Sequence, residues 1–319
     1  MPIPPINRTN IDRWKQDSND SVDYYNDWFL RFAPPSFRAA RAEAAKRVSE
    51  AFRLTGDCRS LDIDTVLRRP DLLSVARQLT CPPVARDRLA GLAKVSRTFV
   101  QRCEESCGRP LKDSARENLR RVLSVIAQLL DTDVMPWLSN SGTSPPPHQR
   151  ARSALVIADR LCGSLSDPIL RNAQEKRQIG AISAWLAARG YRKTKARSRE
   201  DLEPGNFAIR LNMTGRASGD DARSVNIPVD VVVLPKSAKR GDLPILIEAK
   251  SAGDFTNVNK RRKEEAQKIE QLRRQYGVDV VFVLFLCGYF DPGYLGYEAS
   301  ERIDWIWEHR IADMEKLGL

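Results

Sequence analysis

Three charged residues interrupt or end two otherwise aliphatic segments. Asp230 lies inside IPVDVVVL (227–234), and Glu248 and Lys250 end LPILIEAK (243–250). Side chains two residues apart on a strand leave the same face, so Glu248 and Lys250 are expected to point together. Burying an unpaired carboxylate is costly, and such groups normally find a partner or a metal ion. The pattern therefore predicts a polar site where two neighbouring strands meet.

These residue types suit the hydrolysis of a phosphodiester, a stable anion whose attack requires charge neutralisation. Asp230 and Glu248 could hold Mg²⁺, with the carbonyl of Ala249 as a further oxygen ligand. The metal would lower the pKa of a bound water and stabilise charge on the phosphoryl oxygens. Lys250 could orient that water or stabilise the transition state. The alternative is a partly buried ion-pair network of the same residues.

Glu175 is a fourth carboxylate that could join this set. It lies four residues before Ile179, and Ile182 and Leu186 continue the same helical face, which is expected to pack on a sheet. On this interpretation Glu175 is a second metal ligand or an organiser of the site. The alternative is a Glu in the first turns of a helix that begins at 167–168, where the helix dipole favours acidic residues.

A basic segment follows the Glu-x-Lys strand directly, and residues 251–276 read SAGDFTNVNKRRKEEAQKIEQLRRQY. Helical periodicity places its apolar residues on one arc and most of its basic residues outside that arc. Lysine and arginine would contact phosphates, whereas Asn and Gln could read base edges. The alternative is an ordinary solvated helix face. The predicted DNA contacts are Asn257, Asn259, Lys260, Arg261, Arg262, Lys263, Gln267 and Arg274.

The linker-like segment SNSGTSPPPHQ (139–149) divides the chain, because three consecutive prolines cannot continue a helix. We expect a mostly helical domain over 1–140 and a second domain over 150–319. In the second domain, the order of helices and strands favours an α/β fold, in which a sheet has helices on both faces. Helices are predicted at 36–54, 83–106, 111–130, 257–276 and 298–316, and strands at 207–212, 227–234, 244–249 and 278–287.

Composition narrows the class of protein. The net charge of +11 favours a polyanionic partner. A structural zinc site needs four ligands, and only Cys103 and Cys107 lie close together, at a spacing that puts both on one face of a helix. No apolar run approaches a membrane span, and MPIPPINRTN lacks the apolar core of a signal peptide. We therefore expect a cytoplasmic protein with reduced cysteines and no membrane partner.

Several stretches resemble the XamI/SalI family of type II restriction endonucleases, within the PD-(D/E)xK nuclease superfamily. They are YNDWFLRFAP, CPPVARDRLAGL, DRLCGSLSDPILRNAQEKRQ, NIPVDVVV, LPILIEAKSAGDFTNVNKRRKEEAQKI and FLCGYFDPGYLGYEASERIDWIWEHRI. The resemblance covers nearly the whole chain, and residues 245–267 are its most specific part. The family roles fall on Asp230, Glu248 and Lys250. Here the aspartate follows Pro-Val and not Pro directly.

The resemblance implies a PD-(D/E)xK core, a mixed sheet flanked by helices, joined to the helical N-terminal domain. It also implies Mg²⁺-dependent cleavage of double-stranded DNA at a short palindrome, GTCGAC in that family, with 5′-phosphate ends. A palindrome has two-fold symmetry, so a homodimer is the natural arrangement. A cognate DNA methyltransferase is expected as a functional partner outside any stable complex.

Three other interpretations remain open on the sequence. The chain could be a non-catalytic DNA-binding protein with a nuclease fold, although its intact Asp–Glu–Lys set argues against this. It could be a repair nuclease or resolvase, although the size of the helical part argues weakly against a small resolvase. It could also be a helical interaction protein whose basic charge is incidental.

Overall fold

The computed structural model describes residues 4–139, 144–216, 224–255 and 258–319, with the helical backbone alone at 258–261. The chain divides into two compact units, Met1–Phe32 with Arg171–Leu319, and Ala33–Leu170. This division differs from the boundary expected at 140–150, because a single helix, Pro147–Ala188, passes from one unit to the other at 170–171, and Ile6 and Trp14 pack on the sheet. The independent folding of 1–140 and 150–319 stays a prediction.

The unit Ala33–Leu170 is helical and has two apolar cores. One core contains Phe52, Leu79 and Trp137, and the other contains Leu89 and Leu119. The helices that contribute to this unit are α1 (Ile11–Thr55), α2 (Ile63–Arg68), α3 (Leu72–Ala76), α4 (Arg86–Leu92), α5 (Arg97–Glu104), α6 (Arg116–Gln128) and α7 (Pro147–Ala188).

The other unit is built on a six-stranded mixed sheet in the order β1-β2-β3-β4-β5-β6. The β2–β3 and β3–β4 pairs are antiparallel, whereas the β1–β2, β4–β5 and β5–β6 pairs are parallel. The α/β class is therefore confirmed. The strands are β1 (Arg192–Lys193), β2 (Asn206–Arg216), β3 (Ser224–Val233), β4 (Ile245–Ala252), β5 (Phe282–Gly288) and β6 (Asp304–Trp307).

Helices cover both faces of this sheet. The last turns of α7 supply Ile182 and Leu186 to one core, where they meet Val231, Ile247 and Phe285. The opposite core contains residues of α8 (Val258–Tyr276) and α9 (Pro292–Ser300), together with Leu246, Leu284 and Trp305. Strand β5 is buried throughout its length, as a strand with helices on both faces must be.

Hydrogen bonds to Asp304 hold the N-terminal segment against the sheet. The Asp304 carboxylate accepts hydrogen bonds from the backbone N–H groups of Ile6, Asn7 and Arg8, at 2.6, 3.0 and 3.1 Å. The ring of Trp14 meets that of Trp305 edge-on, with centroids 5.6 Å apart. These contacts explain why the first residues of the chain belong to the sheet unit.

Two predicted helix boundaries were wrong. Helix α1 continues through Pro34 and Pro35, and α7 begins at Pro147 and continues through Pro168. An internal proline costs about 3 kcal/mol because it removes a backbone hydrogen bond. All three prolines are exposed, so water can reach the carbonyl groups left without partners. Packing of the flanking turns outweighs that cost.

The C-terminal segment also differs from its prediction as one helix over 298–316. Helix α9 ends at Ser300, Arg302 takes a positive φ of 56°, and β6 follows. The two-residue alternation of Trp305 and Trp307 places both indoles in one core, so strand pairing beside β5 prevails. The chain then forms a 3₁₀ segment, Glu308–Leu317.

Cys103 and Cys107 do not share a helix face, which corrects that expectation. Helix α5 ends at Glu104, and Cys107 follows the helix with a positive φ of 51°. The Cys103 thiol is buried, whereas that of Cys107 is exposed. In the described part of the chain, no helix is both long and apolar enough to span a bilayer.

Replacing Asp304 by alanine should lower the free energy of unfolding by about 3 kcal/mol, because three backbone donors lose a charged acceptor. Urea denaturation measures this loss. Trypsin should also cut after Arg8 or Arg13 faster than in the wild type. Asp279→Ala, at an exposed residue, is the matched control. Equal stability of the two variants would contradict the anchoring role.

Candidate active site

Strands β3 and β4 bring Asp230 and Glu248 together. Val231 pairs with Ile247 in the antiparallel register, so Asp230 and Glu248 are neighbours one step further along. The Asp230 Oδ2 atom accepts a hydrogen bond from the backbone N–H of Ala249 at 2.9 Å. This bond fixes one oxygen of Asp230 beside the end of β4, where the Ala249 carbonyl also lies.

The backbone of β2 is distorted at the same level. Arg210, opposite Asp230 in the register, has a positive φ of 54°. At this point the alternation of faces along β3 shifts by one residue, since Val229 packs in one core and Val231 in the other. Irregular strand geometry of this kind is frequent beside functional sites. Asp230 is therefore half-buried at the opening of the sheet and not inside either core.

Glu248 lies between two ammonium groups. Its Oε1 atom is 3.1 Å from Lys250 Nζ, and its Oε2 atom is 2.6 Å from Lys268 Nζ. Glu248 and Lys250 thus project from β4 to the same side, as their spacing predicts. The Glu248 residue is only 7% exposed, so its charge depends on these partners.

Helix α8 supplies two residues that the sequence analysis missed. Lys268 contacts Glu248, and Glu265 Oε1 lies 3.7 Å from Lys250 Nζ. Glu265 is 1% exposed and precedes buried Ile269 by four residues and Leu272 by seven. The signal was an acidic residue on the apolar arc of the helix, where an unpartnered carboxylate would be costly.

Gln178 is a further buried polar residue that the sequence analysis did not single out. From α7, its side-chain amide donates hydrogen bonds to the carbonyl groups of Lys250, at 3.2 Å, and Phe285, at 3.1 Å. These bonds tie the carboxyl ends of β4 and β5 to the helix. A polar residue directly before Ile179, on the packed face of α7, was the available signal.

Glu175 reaches the same opening through a different contact. Its carboxylate pairs with Arg210, with Oε1 2.5 Å from Nη2. The interpretation as a residue favoured by the helix dipole was wrong, because Glu175 lies far from either end of α7. An open cleft of about 360 Å³ is lined by Arg171, Gln174, Glu175, Gln178, Asp230, Glu248, Ala249, Lys250, Ser251 and Glu264.

The predicted DNA-binding residues on α8 lie on several sides of the helix. Lys263, Gln267 and Arg274 are exposed. Arg262 is half-buried, with its guanidinium 4.7 Å from the centre of the Tyr297 ring. Asn257 lies outside the described residues, as do the side chains of Asn259, Lys260 and Arg261.

The electrostatics of the site favour a cation. Burial and the neighbouring Glu248 charge raise the pKa of Asp230. Burial would lower the pKa of Lys250, but the carboxylates of Glu248 and Glu265 outweigh it and raise that pKa. We therefore expect the Lys250 side chain to carry a positive charge in the folded protein. A divalent ion between Asp230 and Glu248 would relieve their repulsion, so these carboxylates and the Ala249 carbonyl fit an oxygen-liganded metal.

A second group of possible ligands lies elsewhere in the described part of the chain. One ligand atom from each of Asp17, Asp20 and His309 could meet around an ion. Asp17 already accepts hydrogen bonds from the guanidinium of Arg310, at 2.6 and 3.1 Å. This group shares no residue with the cleft at β3 and β4.

Comparison with known proteins identifies the family. The model of the XamI restriction endonuclease family matches residues 56–307. The chain belongs to this family. The enzyme is also similar to the type II restriction enzyme SalI of Streptomyces albus G, with 46% identity over 318 residues, covering 98% of this chain and 99% of that protein. It is therefore a type II restriction endonuclease, a site-specific nuclease.

One solved structure gives a much weaker match. The protein VC1899 from Vibrio cholerae aligns with 80% of this chain and 55% of its own, at 12% identity and a TM-score of 0.27. That similarity is too low to support an argument about the site.

Glu298 is a buried residue beside Glu265, and its raised pKa predicts that the stability of the enzyme depends on pH. Burial and then the neighbouring Glu265 raise the pKa of Glu298 from 4.5 to about 9. Between these values the unfolded chain has lost the proton that the folded enzyme keeps, so this group makes stability fall as pH rises. Glu298→Gln removes the effect and should stabilise the enzyme more at pH 8 than at pH 5. Urea denaturation at both values measures the difference, and a pH-independent difference would contradict it.

Proposed function

We propose that the enzyme hydrolyses both strands of DNA at a specific site through a PD-(D/E)xK centre formed by Asp230, Glu248 and Lys250. The observation that carries the proposal is the convergence of these residues at the point where the pairing of β3 with β4 ends. A non-catalytic DNA-binding protein would not need a buried carboxylate between two lysines, beside a second carboxylate of raised pKa.

Asp230, Glu248 and the Ala249 carbonyl would hold Mg²⁺, which supplies an activated water and charge neutralisation when bound. Lys250, kept protonated by its carboxylate neighbours, places a positive charge beside the attacked phosphoryl group. Gln178 holds the end of β4 so that Glu248 and Lys250 keep their geometry. Glu175 acts as an organiser, because its carboxylate is engaged by Arg210 at the rim of the cleft.

DNA would approach along the exposed side of α8, where Lys263 and Arg274 contact phosphates. Lys260, Arg261 and Arg262 are the other basic residues that we propose for phosphate contacts. Asn257, Asn259 and Gln267 are the candidates for base edges, since side-chain amides pair well with adenine. This arrangement places the recognition helix directly after the strand that carries Glu248 and Lys250.

The target sequence and assembly follow from family similarity. SalI-like enzymes suggest GTCGAC as the target, with cleavage that leaves 5′-phosphates. The two-fold symmetry of such a site favours a homodimer that presents one cleft to each strand. A methyltransferase of the same specificity would protect the host DNA. Plasmid DNA incubated with Mg²⁺ and sequenced at its ends tests these points, since discrete fragments are expected and smearing would indicate a non-specific nuclease.

Glu248→Ala should reduce cleavage by at least about 10³-fold, because a metal supplies several kcal/mol of transition-state stabilisation. DNA affinity should be kept or increase, since Lys250 and Lys268 lose their shared carboxylate. Single-turnover cleavage and filter binding measure the two quantities. Glu315→Ala, at an exposed carboxylate that pairs with Arg189 outside α8, is the control and should cleave normally. Equal loss of cleavage, binding and folding would instead assign Glu248 a structural role.

DNA affinity should fall steeply with salt, because each phosphate contact releases counterions. A combined Lys263→Ala and Arg274→Ala variant should reduce the slope of log affinity against log salt by about 2. Lys316→Ala, at a lysine paired with Asp313, serves as the control. Fluorescence anisotropy across a salt series measures the slope. An unchanged slope would remove α8 as the phosphate-binding element.

A further inference from the structure

Lys250 has a second carboxylate neighbour behind the cleft. Glu265 Oε1 lies 3.7 Å from the Lys250 ammonium, on the helix that covers this face of the sheet. The Glu265 residue is 1% exposed, and Lys250 is the cation that its Oε1 atom faces. A carboxylate buried to this extent is costly without such a partner.

The other oxygen of Glu265 is held in place. The Tyr294 hydroxyl, on α9, donates a hydrogen bond to Glu265 Oε2 at 2.7 Å. Tyr294 is itself 1% exposed, so water is excluded from this hydrogen bond and packing constrains its geometry. The carboxylate therefore presents Oε1 to Lys250 in a fixed direction.

Lys250 needs such a neighbour because its other partner has a second task. Glu248 is 3.1 Å from Lys250 and is also bound by Lys268 at 2.6 Å. When the Glu248 oxygens serve as metal ligands, less of their charge faces Lys250. Glu265 lies outside the cleft lining and keeps its charge available to the lysine.

We infer that Glu265 is a positioning residue, which holds the Lys250 ammonium towards the cleft and is itself oriented by Tyr294. The inference rests on the proposed role of Lys250 in cleavage. In this role Glu265 contacts neither DNA nor metal, and it acts only through Lys250.

Glu298 is a second buried carboxyl group beside Glu265. Burial together with the Glu265 carboxylate raises the pKa of Glu298 to about 9. Burial also raises the pKa of Glu265, whereas the Lys250 ammonium and the hydrogen bond from Tyr294 lower it, so these contacts favour the negative charge on Glu265. Arg262 also faces Glu298, and Tyr294 faces both carboxyl groups.

Two substitutions separate charge from shape. Glu265→Gln keeps the size of the side chain and removes its charge, whereas Glu265→Asp keeps the charge and shortens the side chain. A positioning role through charge predicts a 10- to 100-fold fall in the cleavage rate constant for Gln and less than 10-fold for Asp, roughly the range of one electrostatic contact. The KM for DNA should stay within about twofold, because neither variant alters a DNA contact.

Glu315→Gln makes the same change at an exposed residue that pairs with Arg189 outside α8, and it should leave both constants unaltered. Tyr294→Phe should reduce the rate constant by about 3- to 10-fold with KM unchanged. This variant tests the contacts from Tyr294 through Glu265 to Lys250 even if the Glu265→Gln protein folds poorly. A crystal structure of Glu265→Gln should show the Lys250 side chain displaced, which is a measurement independent of activity.

The inference is overturned if Glu265→Gln cleaves at the wild-type rate, or if Asp is more harmful than Gln, which would indicate packing. Failure of the proposed function gives a different result, because Glu248→Ala would then remain active. With Glu248→Ala inactive and Glu265→Gln unaltered, the proposed active site stands and only the positioning role is lost.

Discussion

A carboxylate buried between two ammonium groups is the interaction on which this site depends. Glu248 is held by Lys250 from its own strand and by Lys268 from α8, at distances of 3.1 and 2.6 Å. Removing charges from water costs several kcal/mol per ion, and attraction repays this cost only where the geometry is good. Strand β4 and helix α8 must therefore dock in one register before the charges can be buried together.

The sheet and its helices provide that register. Strand β4 pairs with β3 on one side and β5 on the other, which sets the position of Glu248 beside Asp230. The apolar side chains Ile269 and Leu272 press α8 onto the sheet and carry Lys268 and Glu265 to the site. Close packing in this core leaves α8 little freedom to slide along the sheet. The apolar contacts therefore also fix the positions of Lys268 and Glu265.

The negative charge of the site exceeds its positive charge where Asp230, Glu248 and Glu265 meet two lysines. Burial, and then the Glu248 charge, raises the pKa of Asp230, and a cation held by oxygen ligands would relieve the repulsion between the two carboxylates. Membership of the XamI family accounts for the class of enzyme, whereas the arrangement of charges supports the proposed chemistry. Glu265 and Tyr294 extend the site into the core beyond the side chains that line the cleft.

The sequence by itself determined strands β2 to β5, the basic helix and the pairing of Glu248 with Lys250, because these follow from local periodicity. Alternation of two residues puts Glu248 and Lys250 on one side of β4 whatever else the chain does. Motif resemblance also sufficed for the family, since nearly the whole chain carries it. The prediction of α8 over 257–276 agrees with Val258–Tyr276.

Only the tertiary structure decided which distant groups meet. Lys268, Glu265 and Gln178 reach the site because whole helices dock on the sheet, and no local rule contains that information. Tertiary packing also made α1 and α7 continue through exposed prolines. It turned the segment of Trp305 and Trp307 into a strand beside β5. In each case the burial of apolar surface, which is summed over many contacts, exceeded the local conformational preference.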